Sequence, residues 1–166
     1  MDYGIRPLDD EAATSGFACG EAALDEYLRH YARQDIKRGV ARVFVASPLE
    51  ASRVLAGFYT LSAAGVAANT LPEDWRKTLP RYPVPVALIG RLAVSRQYQR
   101  QGLGSILLVD ACKRVVAASQ TLAVAAIVVD AKSAQAAAFY QHFGFVELPG
   151  QPGRWMLPRS HFVALT

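Results

Sequence analysis

The sequence has little charge, few cysteines and no long apolar run, and each shortage excludes a class of protein. Only 19% of the residues are charged while 52% are hydrophobic, which excludes wholesale disorder. Two cysteines, Cys19 and Cys112, supply neither a disulfide framework nor a metal cluster. The longest apolar run, Leu122 to Val129, is far short of the ~20 residues that a membrane span needs. We therefore expect a globular protein that holds no metal.

The remaining bulk properties favour a single intracellular domain. The N-terminal residues lack the basic and apolar regions of a signal peptide, which predicts a cytoplasmic protein that is not bound to a membrane. A length of 166 residues fits one domain, over residues 1–166. The net charge of +4 is compatible with a polyanionic partner but does not require one.

Hydrophobic periodicity predicts alternating strands and helices. The predicted strands are Tyr3–Pro7, Arg42–Ala46, Arg53–Ala64, Pro83–Val94, Leu122–Val129 and Arg154–Leu157, and the predicted helices are Glu21–Arg38, Leu103–Ala117 and Ser133–Phe143. Residues 69–82 form a short helix or a loop. The strand–helix–strand–helix order across residues 84–143 predicts a pair of parallel strands in a mixed α/β (α+β) sheet.

Two details of these elements are specific enough to be checked. In the first helix Leu24, Tyr27, Leu28 and Tyr31 share one face, and Gly39 is placed to end the helix. Within the strand Pro83–Val94 lies Gly90, and a glycine inside a strand marks a bulge or a close approach of another backbone.

A glycine-rich turn joins the fourth predicted strand to the next helix. Its pattern is Gln99-x-x-Gly102-x-Gly104, after an apolar strand and before an apolar helix. Glycines there let the backbone approach a bulky group, and the free N–H groups of the new helix favour phosphate. The pattern therefore predicts a phosphate-binding turn.

Together with a second strand and a helix carrying Phe139-Tyr140, this turn resembles that of the GNAT superfamily of acyl-coenzyme A-dependent N-acetyltransferases. The resemblance implies the GNAT fold, a mixed central sheet of about six to seven strands flanked by helices, and acetyl-CoA as co-substrate without a metal. It also implies that the turn holds the coenzyme pyrophosphate and that the end of the preceding strand pairs with the pantetheine arm. The implied cofactor-binding residues are Leu92, Ala93, Val94, Gln99, Arg100, Gln101, Gly102, Leu103, Gly104 and Ser105.

The same resemblance implies that Tyr140 is the general acid, because a tyrosine on this helix lies near the coenzyme sulfur in the family. Its alternative role is to pack in the core. No carboxylate stands out as a general base, and His30, His142 or water relayed by backbone carbonyls remain open. Superfamily members often carry Asn where Asp130 stands here, and we expect Asp130 to be structural, capping the following helix.

A closer resemblance covers most of the chain. Phe17-x-Cys19-Gly20, Lys37–Val45, Gly57–Ser62, Leu79–Val86 and Gly90–Val94 are similar, in order and spacing, to the GNAT toxins of bacterial type II toxin–antitoxin systems. The resemblance implies acetylation of the α-amino group of aminoacyl-tRNA, which blocks translation. It further implies a neutralising ribbon-helix-helix antitoxin, a homodimer, and DNA contact only through the antitoxin.

An RNA substrate draws attention to basic residues, since cations neutralise backbone phosphates. The candidates for RNA binding are Arg29, Arg33, Lys37, Arg38, Arg76, Lys77 and Arg81. A solvated outer helix face is the alternative explanation for the first three.

Two other functions are compatible with the sequence. One is an N-acetyltransferase of protein N-termini or of a small amine. The other is a non-catalytic GNAT domain that binds coenzyme A as a regulatory module, against which the intact Gly102, Gly104 and Tyr140 argue.

Overall fold

The structure, a computed structural model, describes residues 1–166 as seven strands, six α-helices and three shorter helical turns. The strands are β1 (Tyr3–Pro7), β2 (Arg42–Pro48), β3 (Gly57–Val66), β4 (Val84–Val94), β5 (Ala126–Asp130), β6 (Val146–Glu147) and β7 (Arg154–Pro158). The α-helices are α1 (Ala22–Glu26), α2 (Ala32–Arg38), α3 (Glu73–Arg76), α4 (Leu103–Ala118), α5 (Ala134–His142) and α6 (Arg159–Ala164). A π-helical turn (Tyr27–Tyr31) joins α1 to α2, and 3-10 turns cover Ala68–Thr70 and Arg96–Tyr98. None of the helices has both the length and the apolar character needed to cross a membrane.

The strands form one mixed sheet in the order β1-β2-β3-β4-β5-β7-β6. Strands β1, β2 and β3 pair antiparallel, β4 and β5 pair parallel, and β7 pairs antiparallel with both β5 and β6. The predicted mixed sheet of six to seven strands is confirmed. The contacts divide the chain into a first unit, Met1–Ser62 with Gly90–Ala111, and a second unit, Ala63–Ile89 with Cys112–Thr166. The single domain over residues 1–166 stays a prediction.

The first unit packs one face of β2 against its helices. Val43 and Val45 are buried, Arg42 is exposed and Phe44 is half-buried, which is the alternation of a strand, whereas Ala46 to Pro48 are all buried. The core also contains Phe17 and Phe58, whose rings meet edge to face with centroids 5.4 Å apart. Aromatic burial of this size is a major source of stability.

The predicted first helix is confirmed in extent, and three of the four residues predicted to share its inward face do so. Tyr27 and Leu28 are buried and Leu24 packs partly buried against the same core, whereas Tyr31 is 50% exposed and Ala32 is fully buried instead. The π-helical turn explains the difference, because its wider turn advances the inward-facing position by one residue. Gly39 ends α2 as predicted, with φ at 71° in the left-handed region.

The second unit has its own apolar core around β5 and β7. Val84, Val86, Ala126, Val128 and Met156 are buried there. The predicted strand Leu122–Val129 begins only at Ala126, and Leu122 is 69% exposed. The N–H of Leu122 donates to the carbonyl of Ala118, so the chain is still leaving α4 where the apolar pattern predicts a strand.

Two elements of the second unit were not predicted. The two-residue strand β6 is too short to show alternation, and α6 follows β7 directly with a single buried residue, Phe162. Neither carries a periodic signal that hydrophobic patterning detects.

Candidate active site

The glycine turn, Gln99–Ser105, leaves β4 through a 3-10 turn and enters α4. Gly102 has φ at 82°, in the region that favours glycine. Arg100 has φ at 63° and is the one non-glycine residue of the chain with a positive φ. The turn thus has the compact backbone expected of a phosphate-binding loop.

The start of α4 offers unpaired donors at this turn. The N–H of Ile106 makes the first helical bond, to the carbonyl of Gly102 at 3.2 Å. The N–H groups of Leu103, Gly104 and Ser105 precede it and have no helical acceptor. A Cβ built on Gly102 meets no atom within 4 Å, so the space beside the turn is open. Free N–H groups, the helix dipole and open space fit a diphosphate.

The side chain of Gln99 fastens the turn to its surroundings. Its Nε2 donates to the carbonyl oxygens of Val94 and Cys19, both at 2.8 Å. The N–H of Arg96 donates to the carbonyl of Ala18 at 2.9 Å. The sequence predicts that Gln99 binds the coenzyme. It does not predict this hydrogen bond to Cys19, although Phe17-x-Cys19-Gly20 is one of the motifs behind the family resemblance.

The last residues of β4 extend past the part of the strand that pairs with β5. The parallel register joins Val86–Ile89 to Ala126–Val129, whereas Leu92–Val94 continue the strand past it. A Cβ built on Gly57 would lie 3.0 Å from the carbonyl oxygen of Ala93 and 2.9 Å from Leu107. Glycine at position 57 therefore permits the close packing that fixes this strand end.

The close neighbour of Gly90 is a side chain and not the backbone that its position in a strand predicts. A Cβ there would lie 3.3 Å from Oγ1 of Thr60. That hydroxyl accepts a hydrogen bond from the N–H of Arg91 at 3.1 Å.

Tyr140 lies on α5, whose first turn is capped by Ser133. Its side chain is 6% exposed, with ring centroids 5.2 Å from Phe139 and 5.3 Å from Phe145. The hydroxyl has no hydrogen-bond partner in the chain and is not among the buried unpaired atoms, so its oxygen retains contact with solvent. Burial, and then the negative charge of Asp130, raise the pKa of Tyr140 above its usual value. The phenol is therefore protonated at neutral pH.

Asp130 forms an ion pair with Arg154, and the prediction that it caps α5 is wrong. Ser133 is the cap, with its Oγ accepting from the N–H of Ala136 at 3.1 Å. The register places Asp130 opposite Arg154, and the carboxylate accepts from the guanidinium at 2.9 and 3.1 Å. The cap must directly precede the first helical residue, and Asp130 is too far upstream.

Two of the residues predicted to bind RNA have partners within the first unit. Arg29 donates to the carbonyl of Phe17 at 2.7 Å, and Arg33 donates to those of Asp9 and Ala12 at 3.0 and 2.8 Å. These bonds tie the segment before α1 to the helix. The other five predicted residues are exposed and have no side-chain partner: Lys37, Arg38, Arg76, Lys77 and Arg81.

The two histidines considered as bases, His30 and His142, are both exposed. No group of three or more histidine, cysteine or acidic residues is arranged to hold a metal ion.

A pair that the sequence did not reveal lies in the first unit. The guanidinium carbon of Arg91 is 3.5 Å from the ring centroid of Tyr27. The hydroxyl of Tyr27 donates to Asp35 at 2.9 Å, and burial followed by this bond raises the pKa of Tyr27 to about 12. An arginine within the apolar stretch Leu88–Val94 is the one sequence signal for this pair.

Comparison with known proteins gives a family match across the glycine turn and α5. Residues 41–147 match the acetyltransferase (GNAT) domain. A tRNA-acetylating toxin of Mycobacterium tuberculosis (strain ATCC 25618 / H37Rv) is 41% identical over 152 residues, 92% of this chain and 89% of that protein.

Solved structures match the fold over almost the full length. The structure of AtaT complexed with acetyl-methionyl-tRNAfMet has a TM-score of 0.91 at 27% identity and covers 99% of both chains. A tyrosine-to-phenylalanine mutant of the AtaT toxin, bound to the C-terminus of the antitoxin AtaR and acetyl-CoA, has a TM-score of 0.83 at 26% identity, covering 99% of this chain and 98% of that chain.

Proposed function

Because the chain belongs to the GNAT acetyltransferase family, we propose that it transfers the acetyl group of acetyl-CoA to the α-amino group of aminoacyl-tRNA and thereby blocks translation. The observation that carries this proposal is the similarity, over nearly the whole chain, to a tRNA-acetylating toxin. The similarity in fold to AtaT complexed with acetyl-methionyl-tRNAfMet supports it.

The first unit would hold the acetyl donor. The unpaired N–H groups at the start of α4 bind the pyrophosphate, and the backbone of Leu92–Val94 pairs with the pantetheine arm like an added strand. A backbone N–H at that strand end also polarises the thioester carbonyl. When bound, acetyl-CoA supplies an acetyl group activated as a thioester. The residues assigned to this role remain Leu92, Ala93, Val94, Gln99, Arg100, Gln101, Gly102, Leu103, Gly104 and Ser105.

Tyr140 would supply the proton that the leaving sulfur needs. Its raised pKa keeps the phenol protonated, and its oxygen retains contact with solvent while its ring is buried. A buried ring limits the positions of the hydroxyl, which is what orientation of a general acid requires.

An α-amine suits a site without a dedicated base. Such an amine has a pKa of about 7.7–8.0, whereas a lysine side chain has about 10.4. A useful fraction of the α-amine is therefore neutral near pH 7 without any help from the protein. The exposed His30 and His142 have no hydrogen bond that would orient either as a base.

The exposed cations would contact the RNA backbone. Lys37 and Arg38 at the end of α2, and Arg76, Lys77 and Arg81 around α3, are free to neutralise phosphates. Arg29 and Arg33 would add to the RNA contact only through the N–H groups that their backbone bonds leave free.

The proposal extends to partners and location. A ribbon-helix-helix antitoxin would neutralise the enzyme, and DNA would be contacted only through that antitoxin. A homodimer is the proposed assembly. A charged tRNA substrate places the reaction in the cytoplasm. The complex of AtaT with the C-terminus of AtaR supports the antitoxin.

The test is to incubate the purified protein with labelled acetyl-CoA and total charged tRNA, with deacylated tRNA as control. Label on charged tRNA alone, lost in Tyr140→Phe, would support the proposal and identify the preferred amino acid. Label on a protein N-terminus or a small amine, with none on tRNA, would refute the tRNA substrate. Binding of acetyl-CoA without transfer to tRNA, to a protein N-terminus or to a small amine would leave a coenzyme A-binding regulatory domain as the function.

A further inference from the structure

The side chain of Arg91 is a cation that packs against an aromatic ring and has no polar partner within the chain. Its guanidinium lies over the ring of Tyr27, with the guanidinium carbon 3.5 Å from the ring centroid, and makes no hydrogen bond or ion pair within the chain. Its nitrogens are not among the buried unpaired atoms, so they retain some contact with solvent. Stacking uses the face of a guanidinium and leaves the N–H groups at its edge available.

The ring of Tyr27, on which Arg91 packs, is itself held by a hydrogen bond and by an aromatic contact. The hydroxyl of Tyr27 donates to Asp35, and the ring stacks at 15° on Phe58 with centroids 6.4 Å apart. Tyr27 also begins the π-helical turn, a feature that is frequent at functional sites. The backbone N–H of Arg91 is bound to Thr60, which fixes the position from which its side chain extends. A guanidinium held in this way loses little freedom when it binds.

The position of Arg91 along β4 indicates what it would bind. It directly precedes Leu92–Val94, the segment assigned above to the acyl donor. In an aminoacyl-tRNA the first negative charge reached from the reacting α-amine is the 5′-phosphate of the terminal adenosine. Two parallel N–H groups of a guanidinium match two phosphate oxygens.

We infer that Arg91, stacked on Tyr27, binds the 5′-phosphate of the terminal adenosine of the acceptor. This inference rests on the proposed function, because it places the acceptor end of a tRNA beside Leu92–Val94. The site recognises a nucleotide phosphate rather than the attached amino acid, and it therefore acts on every aminoacyl-tRNA alike.

The experiment compares two hydrolysis-resistant acceptors, a 3′-aminoacylamino-3′-deoxyadenosine with and without its 5′-phosphate. With wild-type protein, we expect the phosphate to lower KM by about 10- to 100-fold, the range typical of a charge-assisted hydrogen bond. Arg91→Gln should abolish this difference and leave the acceptor without phosphate unaffected. Arg91→Lys, which keeps the charge but not the fork, should restore part of it. Arg53→Gln, in the exposed turn before β3, removes the same charge and should behave as wild type.

The outcomes separate this inference from the proposed function. Equal use of both acceptors by the wild type would overturn the role of Arg91 and leave tRNA acetylation intact. An equal loss on both acceptors in Arg91→Gln, with a lowered melting temperature, would show that Arg91 only supports the fold. No activity on either acceptor or on charged tRNA, with activity on a peptide N-terminus, would overturn both proposals.

Discussion

The first unit holds irregular backbone in place with polar side chains, whereas the second unit holds its candidate proton donor with aromatic rings. Gln99, Arg29 and Arg33 each donate to a backbone carbonyl of the segment between β1 and α1, at Cys19, Phe17 and Ala12 respectively. Tyr140 depends instead on a regular helix and on the rings of Phe139 and Phe145. Loops that carry a binding site need many specific bonds because they lack the hydrogen-bond ladder of a helix or strand. A side chain on a helix needs only a packed surface.

The largest expected effect comes from the second unit, where the hydroxyl of Tyr140 is the proposed proton donor. Tyr140→Phe keeps the packed ring and removes the proton donor, so we expect turnover to fall by roughly 100- to 10,000-fold. The melting temperature and the affinity for acetyl-CoA should be unchanged, since the hydroxyl has no partner in the chain. Steady-state kinetics with thermal unfolding checks this, and near-normal turnover would show that Tyr140 only packs.

In the first unit the largest effect should fall on stability. Arg33→Met keeps much of the side-chain volume and removes the bonds to Asp9 and Ala12, so the free energy of unfolding should fall by about 2 kcal/mol. Lys37→Met is the matched control on the same helix and should change it by no more than about 0.5 kcal/mol. Urea unfolding of both variants measures the difference, and equal values would mean that the Arg33 bonds contribute nothing to folding.

A smaller effect is expected where the first unit fastens the glycine turn. Gln99→Ala removes two side-chain hydrogen bonds, to Cys19 and Val94, and should raise KM for acetyl-CoA about tenfold. The turnover number should stay close to wild type, because no proton passes through Gln99. Gln97→Ala, an exposed neighbour, is the control, and an equal change in both variants would contradict the fastening role.

The two units each contain one cysteine whose pKa is raised, which makes the stability of the protein depend on alkaline pH. Burial alone raises the pKa of Cys112 to about 11, whereas burial and then a bond to Asp25 raise the pKa of Cys19 to about 11. A raised folded-state pKa contributes stability that is complete below the unfolded value of 9.0 and is lost as pH rises through 11. Between pH 8 and pH 10, the free energy of unfolding of the wild type should fall by about 1 kcal/mol more than that of Cys112→Ala. Urea unfolding at the two pH values measures this, and Cys19→Ala should show a smaller difference because its thiol is partly exposed. Equal losses in wild type and Cys112→Ala would contradict the role of burial.

The regular helices and strands could be predicted because hydrophobic residues recur along them at the spacing of one buried face. The bounds of β1 are those predicted, and those of α4 differ by one residue. Patterning failed at Tyr31, where the π-helical turn shifts the inward-facing position by one residue. It also failed where an apolar stretch, Leu122–Ala125, lies outside any strand.

At the candidate site, the glycine turn was predictable from its own pattern, whereas Tyr140 was assigned through the family resemblance, and the roles of both stay predictions. The partners of polar side chains were not predictable, because Asp130 reaches Arg154 through the register of β5 with β7, and Arg91 meets Tyr27 from a distant part of the sequence. Local sequence does not encode which distant carbonyl, ring or carboxylate a long side chain reaches.

The positive φ of Arg100 has a consequence for engineering the protein. A left-handed conformation costs a residue with a Cβ roughly 1–2 kcal/mol, and Arg100→Gly would recover part of this. A selection for heat resistance alone would therefore favour glycine at this position, and a selection for activity would favour arginine if its charge serves the coenzyme phosphates. Directed evolution under each selection would show whether thermal stability and catalytic activity favour different residues at position 100.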